Sequence, residues 1–457
     1  MIPDDILLEI FDLYKEAEDY GFVWNWSTLL HVCRRWRQVV FTSPLRLYLR
    51  ILCTYRIAAR NNLDIWPAFP IVIDYFPHGI ATDDEFEDNI IAEFKHRDRV
   101  YDVKLSVTCS ELEKITSVMQ EPFPVLTGLH IHSRDLHASV LPAKFLGGSA
   151  SCLQVVDLDG IPFPALPTLL LSTSDLVTLY IRNIPPTGYI SPEAMVMVLA
   201  ALPSFIIHFQ SATSRPDRIH PPSPVTRSVL SALTYFLFEG ASEYLEDLVV
   251  RIDAPQLDQI NIYYLNQLVD FQVVQISKFI EHSIGPKLTL FKYAQVSFYS
   301  GRVIFNMSYE NGPCPEQRST TIICQGIDWQ VSHMAQVLSQ FPVALLLSAA
   351  VHLKLGVDTE WVSPTVGMDE VDWRLLLLQF STMKTLHVAQ EISGHVALAL
   401  EHMVTGALPS LDLILLEGQP ASSVETFVTT RKVSGRLVTI VNTETEFDER
   451  FKSYISK

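Results

Sequence analysis

Residues 153–160 read Leu-Gln-Val-Val-Asp-Leu-Asp-Gly, with apolar residues at the first, fourth and sixth positions and a glycine at the eighth. Alternate side chains of an extended segment point to opposite faces, so Val156 and Leu158 lie on one face of a strand. The glycine tolerates a positive φ, which a chain needs where it turns sharply away. The stretch therefore predicts a short strand with one buried face, followed by a tight turn.

The same spacing recurs along the chain, which indicates that one structural unit is reused. The copies that begin at Val100, Leu126, Leu153 and Leu176 are separated by 26, 27 and 23 residues, and later copies lie further apart. The copies are Val100/Val103/Leu105, Leu126/Leu129/Ile131, Leu153/Val156/Leu158, Leu176/Leu179/Ile181, Leu233/Phe236/Phe238, Leu257/Ile260/Ile262, Ala350/Leu353/Leu355, Met383/Leu386/Val388 and Leu411/Ile414/Leu416. Residues that tolerate a positive φ follow four of them, at Gly160, Asn183, Gly240 and Gly418.

Helices are predicted between these strands. Ser191-Pro192-Glu193 combines a capping side chain, a proline at the first helical position and an acidic first turn, and leads into a helix from Met195 to Leu202. Further helices are predicted at Glu243–Ile252, Leu268–Ile280, Trp329–Phe341, Trp373–Phe380, Ile392–Met403 and Val424–Lys432, and a closing strand at Arg436–Val441. Alternating strands and helices on this period predict an α/β solenoid with a parallel sheet on one face.

The first fifty residues follow a helical pattern instead. Apolar residues recur at three- and four-residue steps from Ile2 to Leu13, after a proline at position 3 and with two aspartates in the first turn. A second helix is predicted from Ser27 or Thr28 to Ser43, and its apolar face carries Leu29, Val32, Cys33, Trp36, Val39 and Val40. Two short amphipathic helices cannot bury both their faces alone. They therefore need a partner surface, in this chain or in another.

This segment resembles the F-box, the helical module of ubiquitin-ligase receptors. The matching residues, in order, are Pro3, Leu7, Leu8, Ile10, Val32, Cys33 and Trp36. Ile2 replaces the usual leucine, and residues 16–26 are an insertion. The resemblance implies docking on the small adaptor subunit of an SCF-type ligase, and through it on a cullin. The adaptor-binding residues that it implies are Pro3, Ile6, Leu7, Ile10, Leu29, Val32, Cys33 and Trp36. The alternative is an N-terminal helical cap on the next domain.

The chain as a whole resembles fungal, basidiomycete-type F-box proteins with degenerate leucine-rich repeats. Segments such as 158–167, 188–194 and 243–248 are similar to the repeat connections of that lineage. The domains expected are an F-box-like module (1–50), a linker and N-terminal cap (51–99), a leucine-rich-repeat solenoid (100–441) and a charged tail (442–457). Residues 45–60 are expected to be a linker or short helix, and residues 70–74 a first strand.

By this resemblance the protein is a non-catalytic receptor subunit whose repeat surface binds a protein target, which the sequence does not identify. One alternative is a leucine-rich-repeat scaffold outside a ligase. Another is a hydrolase or a metal enzyme. Residues 291–325 give no clear repeat, and the proline-rich segment 215–224 is expected to project as a loop.

Composition limits the partners. The formal charge is −17, which disfavours nucleic acid and anionic membranes because both would be repelled. Hydrophobic residues make up 48% of the chain and charged residues 19%, a composition typical of a well-packed globular protein. The six cysteines lack metal-binding spacing and are expected to be reduced and mostly buried, and no signal peptide is visible. A cytoplasmic or nuclear location is therefore expected.

Few residues suggest chemistry. The chain contains neither the Gly-x-Ser-x-Gly of hydrolases nor the glycine-rich motif that cradles phosphates, and Gly147-Gly148-Ser149 is expected to be a turn. His130 and His132 would point to the same face of a strand, but no third metal ligand has a fitting spacing. The acidic run 83–88 lacks the pattern of a calcium loop and is expected to be a solvated helix start. No cofactor is expected.

Overall fold

The computed structural model describes residues 2–17, 27–44, 46–47, 49–54, 67–75, 90–135, 139–201, 206–211, 227–231, 233–240, 242–265, 274–288, 291–308, 319–325, 330–340, 347–357, 370–403, 408–417 and 422–443. The chain is mixed α/β. It divides into two compact units, the first comprising Met1–Thr178 with Pro185–Tyr189 and the second Leu179–Ile184 with Ile190–Lys457.

Three helices open the first unit: α1 (Asp4–Ala17), α2 (Ser27–Leu30) and α3 (Arg34–Thr42). The prediction of one helix from Ser27 to Ser43 is wrong, because Cys33 is extended, with a φ of −161°, and separates α2 from α3. The guanidinium of Arg37 donates to the carbonyl of Leu30 at 3.1 and 3.3 Å. It satisfies a carbonyl that the end of α2 leaves without its backbone donor.

Five parallel strands follow in chain order in the first unit. They are β1 (Ile51–Thr54), β2 (Ile71–Tyr75), β3 (Val100–Val107), β4 (Gly128–Ser133) and β5 (Val155–Asp159). Residues 90–94, α4 (Cys109–Val118) and α5 (Leu166–Leu170) are helical, and 3-10 turns lie at Phe145–Gly148 and Pro186–Gly188. The expected strand at 70–74 is confirmed. The linker expected at 45–60 contains β1 instead, because Ile51 and Cys53 are buried beside β2.

The second unit holds most of the remaining strands. They are β6 (Thr178–Ile184), which spans the boundary, β7 (Ile206–Ser211), β8 (Ser228–Val229), β9 (Tyr235–Gly240), β10 (Ile252–Asp253), β11 (Gln259–Leu265), β12 (Tyr293–Tyr299), β13 (Arg302–Ser308), β14 (Ser319–Gln325), β15 (His352–Val357), β16 (Thr385–Val388), β17 (Leu413–Glu417) and β18 (Thr439–Thr443). The main sheet has the order β6-β7-β9-β11-β14-β13-β12-β15-β16-β17-β18, and β8 pairs separately with β10.

The helices of the second unit lie between these strands along the chain. They are α6 (Pro192–Ala201), α7 (Ser242–Val249), α8 (Val274–Leu288), α9 (Gln330–Gln340), α10 (Glu370–Leu378), α11 (Ser393–Glu401) and α12 (Ser422–Val433), with 3-10 turns at Leu347–Ala349 and Gln390–Ile392. Each stretch predicted to be helical therefore contains a helix. The Ser191 hydroxyl accepts from the amide of Ala194 at 3.3 Å, which confirms its capping role.

The repeated apolar pattern forms the core. All three apolar residues of each predicted copy are at most 2% exposed, and each copy contributes a strand. Parallel pairing sets Leu353, Leu386 and Ile414 side by side, and Leu355, Val388 and Leu416 two residues further on. The turn residues Gly160 and Asn183 have φ values of 70° and 50°, as predicted, and Gly240 has 157°. Gly418 lies outside the described residues.

Residues 291–325 lack a clear repeat because the chain doubles back there. β13 is antiparallel to both β12 and β14, and β14 is parallel to β11. The pair β13–β14 therefore lies in the sheet between β11 and β12. Phe291, Ala294 and Val296 are all buried and keep the repeat spacing, and Val296 pairs with Leu355. β12 is thus a further copy of the unit that the sequence analysis missed.

Truncating a stacked core side chain should destabilise the second unit strongly. Leu386→Ala leaves a cavity between two neighbouring strands, and we expect a loss of about 2–5 kcal/mol in unfolding free energy. Leu375→Ala, at a side chain that is 46% exposed on α10, is the matched control and should change it by less than about 0.5 kcal/mol. Urea titration followed by circular dichroism measures both. Equal midpoints for the two variants would contradict the stacked core.

Candidate functional site

The N-terminal helices share a small core of their own. The buried side chains are Leu7, Phe11, Leu29, Leu30, Val39 and Val40. The rings of Phe11 and Trp36 meet edge to face with centroids 4.9 Å apart. Arg35 on α3 pairs with Asp4 on α1 at 2.6 Å, and Arg46 pairs with Asp12 at 3.1 Å. The helices are therefore held together both by apolar contact and by charge.

A second side of α1 is apolar and exposed. It carries Ile6 (40%), Ile10 (40%) and Leu13 (66%), with their exposed fractions, while Ile2 (51%) precedes α1 and Val32 (57%) lies in the turn after α2. We call these five residues the N-terminal apolar face. Isolated apolar side chains on a surface are ordinary, but three of these five residues follow one another along one helix, which indicates a surface that becomes covered.

The eight residues implied for adaptor binding divide by exposure. Pro3, Ile6, Ile10, Val32 and Cys33 are exposed, and Trp36 is half-buried. Leu7 and Leu29 are buried inside the helical module. Since a buried side chain is not available to a partner, the two leucines position the exposed residues around them.

A second cluster lies on β3, β4 and β5, on the face that is opposite their buried residues. His130 lies 3.9 Å from Asp102 and 3.7 Å from Asp157, and His132 lies 3.2 Å from Asp159. Leu129 and Ile131 are buried, so the prediction that both histidines share the other face is confirmed. Among the residues that the structure describes, no group of three or more side chains is arranged to hold a metal ion.

A buried acidic group lies beneath β1 and β2. Glu93 is fully buried, and the hydroxyl of Tyr75 donates to its Oε1 at 2.9 Å. Burial raises the pKa of Glu93 to about 8, against hydrogen bonds from Tyr75 and Cys53 that lower it. Burial also raises the pKa of the Cys53 thiol far above its usual value, which keeps it protonated and unreactive. Perturbed pKa values can mark a catalytic site, but these groups have no exposed surface, which favours a structural role.

Glu93 should make stability depend on pH. Because its pKa is higher in the folded chain than its usual 4.5, its contribution to stability is fully present below about pH 4.5 and is lost as the pH rises toward 8. Glu93→Gln removes this loss. The unfolding free energy of the variant, relative to that of the parent, should therefore rise by at most about 1.4 kcal/mol per pH unit across that window. Urea midpoints at pH 5 and 7.5 measure the gain. Glu121→Gln, at an exposed carboxylate, should show none, and an equal change in both variants would exclude Glu93 as the cause.

A basic cluster lies at the start of three neighbouring strands in the second unit. Lys292 precedes β12, His352 opens β15 and Lys384 precedes β16. The His352 ring stacks on that of Tyr293, with centroids 4.8 Å apart. Nothing in the sequence pattern singled out these residues, because they are distant along the chain and only the strand order brings them together.

The remaining sequence candidates form no site among the described residues. Gly147 and Gly148 have φ values of 68° and 72° and form the expected turn. Segments 83–88 and 215–224 and the tail from 444 lie outside the described residues. Five described cysteines are free, but only Cys53 and Cys324 are buried, so the expectation of mostly buried thiols is wrong for Cys33, Cys109 and Cys152. Within the described part of the chain, no helix is long and apolar enough to cross a membrane.

Comparison with known proteins gives structural likenesses only. No protein-family model matches the chain, and no curated protein is significantly similar to it in sequence. Among solved structures, the leucine-rich repeat-containing protein LegL7 from Legionella pneumophila matches 77% of this chain and 96% of its own, with 13% identity and a TM-score of 0.26. A TM-score this low does not establish a shared fold.

Proposed function

We propose that the protein is the substrate-recognition subunit of an SCF-type ubiquitin ligase. In this proposal the N-terminal module docks on the adaptor subunit, and strand-turn-helix repeats of the leucine-rich-repeat type form a solenoid that holds a protein target. The protein contributes no catalytic group. Its effect is to raise the concentration of the target near the enzyme that carries ubiquitin.

The N-terminal apolar face is the observation that supports this function most. Ile6, Ile10 and Val32 occupy positions at which the F-box resemblance implies adaptor contact, and all three are exposed. Burying such side chains is worth roughly 1.5–3 kcal/mol each. An uncovered face of this kind is costly in water and is better explained by a partner than by a helical cap, whose apolar side would be covered.

The repeated strands support the target-binding half of the proposal. Their buried residues hold the register, so the alternate positions are free to vary in chemistry without loss of the core. In the first unit these positions carry aspartate and histidine, and in the second they carry tyrosine, lysine and histidine. A rigid sheet with a varied polar face is suited to recognising another protein.

Charge placed on the N-terminal apolar face should abolish adaptor binding. Ile6→Asp/Ile10→Asp puts two carboxylates where the adaptor would bury apolar side chains, and we expect the affinity to fall at least a hundredfold, since buried unpaired charges are costly. A pull-down of the purified full-length protein with the adaptor, followed by titration calorimetry, measures this. Because both side chains are exposed, the circular dichroism spectrum should not change.

Leu375→Asp/Leu398→Asp is the matched control, since these leucines are similarly exposed on α10 and α11. It should bind the adaptor as the parent does. If the parent does not bind, the ligase assignment is wrong, and a repeat scaffold outside a ligase takes its place. Trp36 is unsuitable for this test because its ring packs on Phe11 within the module.

A further inference from the structure

Two lysines flank the start of β15. The amide of His352 donates to the carbonyl of Lys292 at 3.0 Å, and the amide of Lys384 donates to the carbonyl of Val351 at 2.8 Å. The backbones therefore lie in adjacent positions of a parallel ladder. Since neighbouring strands are about 4.8 Å apart, the two lysines are separated by about 10 Å across β15.

These lysines have no acidic partner among the residues that the structure describes. Each is exposed, and no described carboxylate lies within 4 Å of either ammonium group. The pKa of His352 is lowered, mainly by burial and then by Lys292 and Lys384, so the positive potential of both lysines reaches the ring. A local excess of positive charge is notable in a chain of net charge −17.

Asp412 is the next residue of this row, since its amide donates to the carbonyl of Lys384 at 2.9 Å, and its charge also acts on Arg431. One carboxylate beside two lysines offsets only part of the excess. His387 on β16 pairs with Glu417 on β17 at 3.0 Å. The hydrogen bond from His387 lowers the pKa of Glu417 most, and the charges of His387 and Lys354 lower it further. Glu417 is therefore occupied at the other end of the strands. Lys292 and Lys384 remain exposed beside the ring of His352.

Uncharged groups continue the patch along β12 and β15. The rings of Tyr293 and His352 stack at an interplanar angle of 19°. On the same strands Gly356 has no side chain, and an added Cβ would find its nearest neighbour, the Ser297 hydroxyl, at 3.5 Å. The Gln295 amide donates to that hydroxyl at 2.8 Å. Tyrosine is enriched at protein interfaces.

We infer that the surface formed by Lys292, Tyr293, His352 and Lys384, the lysine–histidine patch, binds an acidic, extended segment of a protein partner. This inference rests on the proposed function in that the partner would be the target of the receptor. Carboxylates two to four residues apart in an extended peptide span roughly 7–14 Å, which brackets the separation of the lysines. A nucleic acid is a poorer match because a long polyanion would be repelled by the rest of the chain.

Charge reversal at the patch tests the inference. The probe is a fluorescein-labelled peptide of eight glutamates, titrated with the full-length protein in 50 mM salt and followed by fluorescence anisotropy. We expect Lys292→Glu/Lys384→Glu to weaken binding at least tenfold. Lys144→Glu/Lys432→Glu, at two exposed lysines elsewhere, changes the net charge equally and should alter binding less than twofold.

Four results would overturn the inference. They are no binding by the parent, equal weakening in both charge-reversed proteins, equally tight binding of an oligouridine of the same charge, and binding that appears only after residues 444–457, which include four acidic residues, are deleted. The last would assign the patch to the chain's own tail. Because the assay contains no adaptor, its outcome is independent of whether the N-terminal module docks on one.

Discussion

The structure depends on one constraint, the side-by-side burial of apolar residues at a fixed register of parallel strands. Leu353, Leu386 and Ile414 share one level of the core, and a slip of one residue in any strand would turn its apolar side chains to the other face. Because the core fixes the register, it also fixes which polar residues are neighbours on the opposite face. The aspartate–histidine cluster of the first unit and the lysine–histidine patch of the second both follow from this alignment.

The strands were predictable wherever all three positions of the repeat unit are apolar. Each of these positions is buried, and burial requires an apolar side chain. β12 was missed because Ala294 is a weak apolar signal, although it is buried like its counterparts. α4 was missed despite a sequence signal: Thr108 and Glu111 form a capping box, in which each side chain accepts from the other's amide. The break at Cys33 had no such signal, because apolar spacing continues through it and the contact of Arg37 with Leu30 is tertiary.

The candidate surfaces were predictable to different extents. Helical spacing placed Ile6, Leu7 and Ile10 on one broad stripe, but only the folded module shows that Leu7 is buried and the two isoleucines are exposed. The lysine–histidine patch could not be predicted, because its members are far apart in the chain. Their proximity follows from the parallel pairing of β12 with β15 and of β15 with β16, on the side of β12 that faces away from the inserted β13 and β14.

That insertion also has a consequence for how the chain folds. Most strands pair with the next copy along the chain, as Leu386 and Ile414 do at a separation of 28 residues. Ile260 on β11 instead pairs with Thr320 on β14, a separation of 60 residues. Closing a longer loop costs more entropy before any contact compensates it, so this junction, like that of Tyr293 with His352 at a separation of 59 residues, forms more slowly than those between consecutive copies. During synthesis, β11 therefore emerges from the ribosome with an open edge and keeps it until β14 has been made.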